Sequence, residues 1–421
     1  MNVVITPHPL AGAIDHVMSS KSQAHRLLIC AALADGPTLL NNMGYSADVE
    51  ATIRCLRALG TQIRQEGDTL RITPAAHFSK GALLDCGESG STLRFLLPVS
   101  AALGADCAFT GQGKLSQRPL SPLYEQMQAH GAALAPQGVF PLRCGGALQP
   151  GDYTLAGNVS SQFISGLMMA LPGLSGNSTI TVTGQMESRP YIDMTLNALA
   201  QFGIRVEQTQ AGFSIPGGQV FHSPGTLAVE GDWSGAAFWL TAGALSSQGI
   251  ACGPLNTVSA QGDRAIAELL KGFGAAVEGR ENSVFIRKNR LLGMDIDISQ
   301  IPDLAPILAV AAAFSQGQSV LHPIARLRLK ESDRVSAILA MLRSLGVPAR
   351  AEEDRLIIEG QGAVAGGMVD GFHDHRIVLA ASIAAAWAAG PVTLLGAEAV
   401  NKSYPGFFEQ FAALGGQVKE I

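Results

Sequence analysis

Six stretches of the chain consist almost entirely of apolar residues over the length of a helix. A helix of this kind has no polar face to turn toward water, so it must be buried on every side. Each stretch is followed by a glycine and then by a segment with strand character, which predicts a buried helix leading into a strand. The stretches are Leu27–Ala34, Phe95–Leu103, Phe163–Leu171, Ala236–Leu245, Leu304–Phe314 and Ile377–Ala389.

A second pattern alternates with the first. An amphipathic helix ends in an apolar residue and a glycine, the residue best suited to the left-handed conformation that stops a helix. These glycines recur at intervals of 69 to 72 residues, which indicates a structural repeat. They are Gly60, Gly131, Gly203, Gly274, Gly346 and Gly415.

Together the two patterns predict six repeats of about 70 residues each. Each repeat is predicted to contain a strand, a buried helix, a strand, an amphipathic helix and a strand. Helices that are apolar on all sides cannot lie on the outside of a sheet. We therefore predict an α/β fold, α+β by some schemes, with two lobes of three repeats, in which helices are buried and sheets face water.

Composition excludes several classes of function. Of the 421 residues 47% are hydrophobic and 15% charged, a balance that excludes a disordered chain. With 29 basic and 34 acidic residues the net charge is −5, which argues against a nucleic acid partner. Six scattered cysteines are typical of free thiols in a reducing compartment. Residues 1–10 do not resemble a leader, and Gly390-Pro391 interrupts the apolar stretch 377–397, so we predict a cytoplasmic protein that does not bind membranes.

Cations stand at the beginnings of three buried helices, as Lys21, Arg94 and Arg376. A positive side chain is unfavourable there, because the N-terminus of a helix already carries partial positive charge. An anion bound between several helix N-termini reverses this penalty. The recurrence in three repeats therefore predicts an anion-binding site.

A second set of cations lies where amphipathic helices begin, at Arg118, in the run 326–334, and at Lys402. Taken alone, the run is compatible with a solvated face that neutralises itself, since Glu331 and Asp333 lie among its four cations. In the company of the cations at the helix starts, we interpret it as one wall of a pocket for polyanionic ligands.

Other chemistries lack their motifs. Neither common type of glycine-rich phosphate loop is present, so nucleotide binding is not expected. His373 and His375 have no carboxylate-rich partner set at metal-binding spacing, so no metal site is predicted. We expect no cofactor.

Nine short motifs span nearly the full chain: SKSQAHR (20–26), GESGSTLRF (87–95), QRP (117–119), SSQ (160–162), SRPYID (188–193), IPD (301–303), LKESDR (329–334), DHR (374–376) and NKSYP (401–405). In these residues, and in their order, the chain resembles the 5-enolpyruvylshikimate-3-phosphate synthases of the enolpyruvyl transferase family. The resemblance implies a two-lobed inside-out α/β barrel. Residues 1–19 plus 232–421 would form the lobe with both termini and 20–231 the second lobe, with the active site in the interdomain cleft.

The resemblance also implies two small-molecule substrates and their contacts. Each substrate carries a phosphate and a carboxylate, to which charge-assisted arginine contacts are suited. The phosphoenolpyruvate contacts would be Lys21, Gly90, Arg94, Arg118, Gln162, Arg334, Arg376 and Lys402. The shikimate 3-phosphate contacts would be Lys21, Ser22, Arg26, Ser160, Ser161, Gln162, Ser188, Asp303 and Lys330.

The implied reaction transfers the enolpyruvyl (1-carboxyvinyl) group of phosphoenolpyruvate to the 5-hydroxyl of shikimate 3-phosphate and releases phosphate, a step of aromatic amino acid biosynthesis. The hydroxyl adds to C2 while C3 is protonated, and loss of phosphate and a C3 proton gives the enol ether. We assign Asp303 as the base at the hydroxyl, and Glu331 and Lys21 to the chemistry at C3. We expect a monomer.

Two alternatives stay open. An enolpyruvyl transferase acting on UDP-N-acetylglucosamine has the same fold and reaction, but typically carries a cysteine in the loop that here, at 111–116, has none. A non-catalytic anion-binding or RNA-end-processing protein is the other. The net charge argues against RNA, and Asp303 and Glu331 within the cation cluster argue against mere binding.

Overall fold

The computed structural model describes all 421 residues, which form two compact units. Unit 1 contains Met1–Met18 and Gly231–Ile421, and unit 2 contains Ser19–Glu230. The chain therefore passes between the units twice, one residue away from each of the two boundaries in the sequence-based division.

Twelve α-helices alternate between the two predicted types. Odd-numbered helices are almost wholly buried, whereas even-numbered helices expose one face. They are α1 Lys21–Leu33, α2 Ala47–Ala58, α3 Gly90–Ala102, α4 Leu123–Ala129, α5 Ser161–Ala170, α6 Arg189–Gln201, α7 Trp233–Leu245, α8 Ile266–Phe273, α9 Ala305–Ala313, α10 Arg334–Ser344, α11 His375–Ala385 and α12 Phe407–Ala413.

The glycines that follow the even-numbered helices confirm the predicted helix stops. All six have positive φ angles, from +74° at Gly346 to +109° at Gly274. Glycine adopts this left-handed conformation without the steric cost that a Cβ imposes. The six-fold periodicity of the sequence is thus a periodicity of helix ends.

Twenty-four strands form six four-stranded sheets, three in each unit. Unit 2 contains β3 Thr38–Asn41, β4 Gln62–Glu66, β5 Thr69–Thr73, β6 Ala82–Asp85, β7 Cys107–Thr110, β8 Ala132–Ala135, β9 Leu142–Gly146, β10 Asp152–Ala156, β11 Ser178–Thr183, β12 Glu207–Thr209, β13 Gly212–Ile215 and β14 Thr226–Ala228. Unit 1 contains β1 Val3–Thr6, β2 Gly12–Ile14, β15 Ile250–Cys252, β16 Ala276–Arg280, β17 Ser283–Arg287, β18 Asp295–Asp297, β19 Gln316–His322, β20 Ala349–Glu352, β21 Arg355–Gln361, β22 Gly367–Asp370, β23 Val392–Leu395 and β24 Gln417–Glu420.

All six sheets share one topology. The orders are β14-β3-β5-β4, β6-β7-β9-β8 and β10-β11-β13-β12 in unit 2, and β2-β15-β17-β16, β18-β19-β21-β20 and β22-β23-β1-β24 in unit 1. In each order the first pair is parallel and the next two pairs are antiparallel. Three strands join sheets whose other strands are distant in sequence: β14 pairs with β3, β2 with β15, and β1 with β23 and β24.

Two details of the sequence prediction are wrong. Each sheet has four strands, whereas three strands per repeat were predicted. After five of the even-numbered helices the segment predicted as one strand forms a hairpin of two strands, and after α12 the second strand is β1, from the other end of the chain. Helix α11 ends at Ala385 and not at Ala389, because the amides of 386–388 donate to carbonyls three residues back, at 3.2 to 3.3 Å.

The odd-numbered helices form the core of each unit. Helix α3 contacts α1 and α5 in unit 2, and α7, α9 and α11 contact one another in unit 1. Every residue of α9 is buried, whereas strands such as β8 alternate buried and exposed positions. The arrangement of buried helices and outward sheets is therefore as predicted. No helix has both the length and the apolar character needed to span a membrane.

Candidate active site

In unit 2 the predicted site residues lie at the starts, or within the first two turns, of α1, α3, α5 and α6, except Arg118, which directly follows the 3-10 helix Leu115–Gln117. Three serines cap the first three of these helices. The side chains of Ser20, Ser89 and Ser160 accept hydrogen bonds from backbone amides two or three residues further on, at 3.2 to 3.4 Å. The buried helices therefore begin with ordered, polar ends.

Lys21 is the first residue of α1, and its Nζ lies 2.9 Å from Asp48 Oδ2. The two side chains are only 16% and 8% exposed. Asp48 stands in the first turn of α2, where a carboxylate also favours the helix dipole. The carboxylate thus fixes the direction of the Lys21 ammonium group.

Arg94, on α3, is tied to α5. Its Nη1 donates to Gln162 Oε1 and its Nη2 to the Pro119 carbonyl, both at 2.8 Å. Gln162 Nε2 in turn donates to Ser91 Oγ at 2.9 Å. Arg94 and Gln162, two predicted phosphoenolpyruvate contacts, are thus neighbours.

Gly90, the first residue of α3, lies directly against Arg118. A Cβ at Gly90 would lie 2.8 Å from Arg118 Nη1 and 2.9 Å from its Cζ. Any residue with a Cβ at this position would displace the Arg118 guanidinium. The structure therefore brings together these two predicted phosphoenolpyruvate contacts as well.

The predicted shikimate 3-phosphate contacts of unit 2 differ in exposure. Arg26 is buried, and it donates to Ser22 O at 2.6 Å, to Thr195 Oγ1 at 2.7 Å and to Tyr191 O at 2.8 Å. Burial lowers the pKa of Arg26 to about 10. Ser188 is buried and left-handed, with φ of +55°, immediately before α6. Ser160 is half-buried and Ser161 buried at the start of α5.

A buried chain of polar groups connects α1, α2 and α3. His25 Nδ1 lies 2.7 Å from Thr52 Oγ1, which lies 2.7 Å from Thr92 Oγ1, and Thr92 Oγ1 lies 2.8 Å from Ser89 Oγ. Burial lowers the pKa of His25 to about 3, so the imidazole is neutral at physiological pH. This series of hydrogen bonds fixes the start of α3 relative to α1, the helix that begins with Lys21.

In unit 1 the centre of the site is Asp303, in a 3-10 helix (Pro302–Leu304) that leads into α9. Lys330 Nζ and Arg334 Nη1 lie 3.1 and 2.8 Å from its Oδ1. Arg376 Nη2 lies 3.1 Å from its Oδ2, and Arg376 Nη1 donates to its carbonyl. Burial alone would raise the pKa of Asp303, but Arg376, Lys330 and Arg334 outweigh it and hold the pKa well below its usual range.

Arg334, at the start of α10, is 1% exposed and surrounded by carboxylates. Besides Asp303, its guanidinium lies 2.7 Å from Glu331 Oε2 and 2.8 Å from Asp374 Oδ2. Burial acts to lower the pKa of Arg334, but Asp374, Glu331 and Asp303 prevail and raise it well above its usual value. Arg334 is therefore a fixed cation that connects three acids.

Asp374 connects two predicted site arginines and was not itself predicted. It is fully buried, caps α11 by accepting from Arg376 N at 3.0 Å, and accepts from Arg334 and from Ser332 Oγ. Its position immediately before a buried helix is the sequence signal that could have identified it, since aspartate is a preferred N-cap.

Asp263 is a further buried acid beside this cluster. Its Oδ2 accepts a short hydrogen bond from Ser234 Oγ, whereas its Oδ1 has no hydrogen-bond partner. Burial raises the pKa of Asp263 to about 6, with Arg376 opposing and Asp303 adding to the rise. No sequence pattern singles out this residue.

The run 326–334 combines both of the interpretations made from sequence. Arg328 pairs with Asp333 at 3.1 Å on the exposed surface, which is the self-neutralising face. Lys330 and Arg334 point instead to Asp303. Lys402 lies apart from this group in the chain, half-buried at the end of a 3-10 helix, Ala397–Lys402.

Comparison with known proteins identifies the family. The family model for EPSP synthase (3-phosphoshikimate 1-carboxyvinyltransferase) matches residues 4–411. The chain belongs to the EPSP synthase family. Two curated relatives named 3-phosphoshikimate 1-carboxyvinyltransferase cover nearly all of it: that of Clostridium kluyveri is 42% identical over 99% of this chain and 98% of its own length, and that of Clostridium acetobutylicum 44% over 100% and 99%.

A solved EPSP synthase has the same fold. The structure of the enzyme from Acinetobacter baumannii matches 100% of both chains with a TM-score of 0.83 at 27% sequence identity. The predicted membership of this family and the predicted α/β fold are thus both confirmed.

Proposed function

We propose that this chain is a 3-phosphoshikimate 1-carboxyvinyltransferase. It transfers the enolpyruvyl group of phosphoenolpyruvate to the 5-hydroxyl of shikimate 3-phosphate and releases phosphate, for aromatic amino acid biosynthesis. The observation that carries the proposal is the placement of Asp303 among Lys330, Arg334 and Arg376. This gives a carboxylate that is ionised at neutral pH within a group of cations suited to anionic substrates.

Substrate binding itself would make Asp303 a better base. Its low pKa comes from three adjacent cations, and a low pKa weakens a general base. Phosphate and carboxylate groups that bind those cations reduce the positive field at Asp303 and so raise its pKa. Proton abstraction from the 5-hydroxyl is then favoured only when both substrates are bound.

The remaining steps use groups from both units. As the hydroxyl oxygen bonds to C2 of phosphoenolpyruvate, Glu331 and Lys21 supply the proton to C3 and later remove one. Lys21, Arg94 and Arg376 stabilise the negative charge on the departing phosphate, an electrostatic contribution to lowering the barrier. Arg118, Arg334 and Lys402, together with Gly90 and Gln162, would complete the phosphoenolpyruvate contacts.

Shikimate 3-phosphate would be bound mainly by hydroxyl groups and cations. Ser188 and Arg26 are buried, which suits an ordered site more than a surface one. The proposed contacts are Lys21, Ser22, Arg26, Ser160, Ser161, Gln162, Ser188, Asp303 and Lys330. Because this set draws on both units, we propose an active site to which 20–231 and 232–421 both contribute.

We also propose that the enzyme is a cytoplasmic monomer. All six cysteines are free and buried, which supports a reducing compartment. Each sheet is complete within its unit, so neither unit needs a second copy of the chain to finish its fold. Sedimentation equilibrium of the purified protein would test the monomer.

The decisive experiment measures phosphate release with each substrate alone and with both. We expect release only when phosphoenolpyruvate and shikimate 3-phosphate are present together, with an enol ether product detectable by NMR. UDP-N-acetylglucosamine replaces shikimate 3-phosphate in a parallel arm and should give none. Release from phosphoenolpyruvate alone, or with the nucleotide sugar only, would contradict the proposal.

A further inference from the structure

The backbone turns sharply directly after Lys402. This residue ends the 3-10 helix Ala397–Lys402, and the amides of the next two residues both donate to Val400 O, at 3.1 and 2.7 Å. The second of these amides belongs to Tyr404. The place of Lys402 therefore depends on what holds this turn.

The Tyr404 side chain connects the turn to two other parts of unit 1. It is 2% exposed, and its hydroxyl accepts from Trp239 Nε1 at 2.8 Å and donates to Gln410 Oε1 at 2.7 Å. Gln410 Nε2 then donates to His16 O at 3.1 Å. One hydroxyl thus joins the turn after Lys402 to the buried helix α7 and, through α12, to the segment just before the first passage between the units.

The ring of Tyr404 is fixed by shape as well as by hydrogen bonds. It meets Trp239 edge to face, with ring centroids 6.1 Å apart and an interplanar angle of 88°. A Cβ at Gly235 would lie 2.9 Å from Tyr404 Cε1, so α7 approaches the ring closely where glycine makes room. A ring held this tightly gives the hydroxyl one position.

We propose that Tyr404 is a positioning residue for phosphoenolpyruvate binding, because its hydroxyl holds the turn that places Lys402. The inference rests on the proposed function, in which Lys402 binds phosphoenolpyruvate and not shikimate 3-phosphate. Loss of the hydroxyl leaves Trp239 Nε1 as a buried donor with no acceptor, and frees Gln410. The turn then loosens at Lys402.

The test is Tyr404→Phe, with kcat and both KM values measured in the phosphate-release assay. We expect KM for phosphoenolpyruvate to rise about threefold to tenfold, as for the loss of a buried hydrogen bond. KM for shikimate 3-phosphate and kcat should stay within about twofold, because the acid–base groups are untouched. Tyr153→Phe is the matched control, since Tyr153 is also buried and donates to Gln149 O at 2.6 Å in unit 2.

A second variant, Gln410→Ala, alters the same connection at a half-buried residue. It should raise KM for phosphoenolpyruvate in the same direction, and an unchanged value in a folded Gln410→Ala protein overturns the inference. So does a Tyr404→Phe enzyme that only loses kcat, which is the signature of a smaller active fraction, or an equal effect of Tyr153→Phe. A wild-type enzyme without turnover would instead refute the proposed function, and this inference with it.

Discussion

Each unit contains a part-buried lysine–aspartate pair, and the order of the lysine and the aspartate along the chain is reversed between the two pairs. In unit 2 Lys21 begins the buried helix α1 and Asp48, 27 residues later, lies in the first turn of the amphipathic helix α2. In unit 1 Asp303 precedes the buried helix α9 and Lys330, also 27 residues later, precedes α10. Equivalent places in two repeats thus carry opposite charges.

The predicted contacts around the two pairs also differ in charge, with cations alone in unit 2 and both cations and carboxylates in unit 1. The predicted contacts of unit 2 include the cations Lys21, Arg26, Arg94 and Arg118 and no acid. In unit 1 Asp303 shares its cations with Glu331 and Asp374, so carboxylates and cations are nearly balanced. Under the proposed roles, the scaffold position that holds a cation for both substrates in unit 2, Lys21, holds the proposed base at the hydroxyl, Asp303, in unit 1.

The largest effect should come from Asp303→Asn compared with Asp48→Asn. Removing the proposed general base should lower kcat by about 10²–10⁴-fold and leave phosphoenolpyruvate binding largely intact. Asp48→Asn removes the ion-pair partner of Lys21 and should lower kcat less than about tenfold. Steady-state kinetics and a phosphoenolpyruvate binding titration check both. Near-normal kcat in Asp303→Asn, or equal losses in the two variants, would refute the division of roles.

Capping residues of the two units should differ in their effect on stability. Asp374→Asn weakens a fully buried ion pair with Arg334 and should lower the free energy of unfolding by about 3 kcal/mol. Ser89→Ala removes a neutral cap of α3 and should cost about 1 kcal/mol. Urea denaturation monitored by circular dichroism measures both. If the two costs are equal, Asp374 acts as a cap and not as a partner of Arg334.

Asp263→Asn should stabilise the protein at neutral pH. The folded-state pKa of about 6 exceeds the unfolded value near 4, so the native state binds the proton more tightly, and stability falls as pH rises from about 4 to about 6. The neutral side chain of the variant does not have this loss. The free energy of unfolding of Asp263→Asn should therefore exceed that of the wild type by on the order of 2 kcal/mol at pH 7.5 and should equal it at pH 4. Thermal unfolding across this range tests it, with the exposed Asp68→Asn as control. A gain in stability that is the same at both pH values would contradict the raised pKa of Asp263 as its cause.

Gly90→Ala should give the smallest effect, confined to phosphoenolpyruvate. The added Cβ displaces the flexible Arg118 guanidinium, so KM for phosphoenolpyruvate should rise about tenfold while stability is unchanged. Gly173→Ala is a matched control, because a Cβ there meets no atom within 4 Å. Unchanged KM in Gly90→Ala would remove Arg118 from the substrate contacts.

Periodic features of this molecule could be predicted from sequence, because they repeat within short windows. Apolar helices such as α9 and the glycine stops such as Gly274 depend on local burial and backbone conformation. The hairpins were missed because strands such as β4 and β5 are only five residues long. Each has too few alternating apolar and polar positions for the pattern to distinguish two strands from one. Motifs placed Asp303 and Arg334 in the site through resemblance to a family.

Partners across the chain could not be predicted. Nothing in the sequence links Lys21 to Asp48, or marks Asp263 as a buried acid with a raised pKa. These features arise only when helices pack, since desolvation and charge proximity depend on tertiary neighbours. Asp374 lies between these two cases. Its role as the N-cap of a buried helix could be predicted from sequence, whereas its ion pair with Arg334 could not.

The two chain ends lie side by side in one sheet. Strand β1 runs antiparallel to β24, with Val3 opposite Glu420, and Ile421 N donates to Asn2 O at 3.0 Å. A linker of a few residues could therefore join the termini without disturbing β1 or β24. Circular permutation, with new ends opened in an exposed turn such as 67–68, would leave all six sheets their full complement of strands.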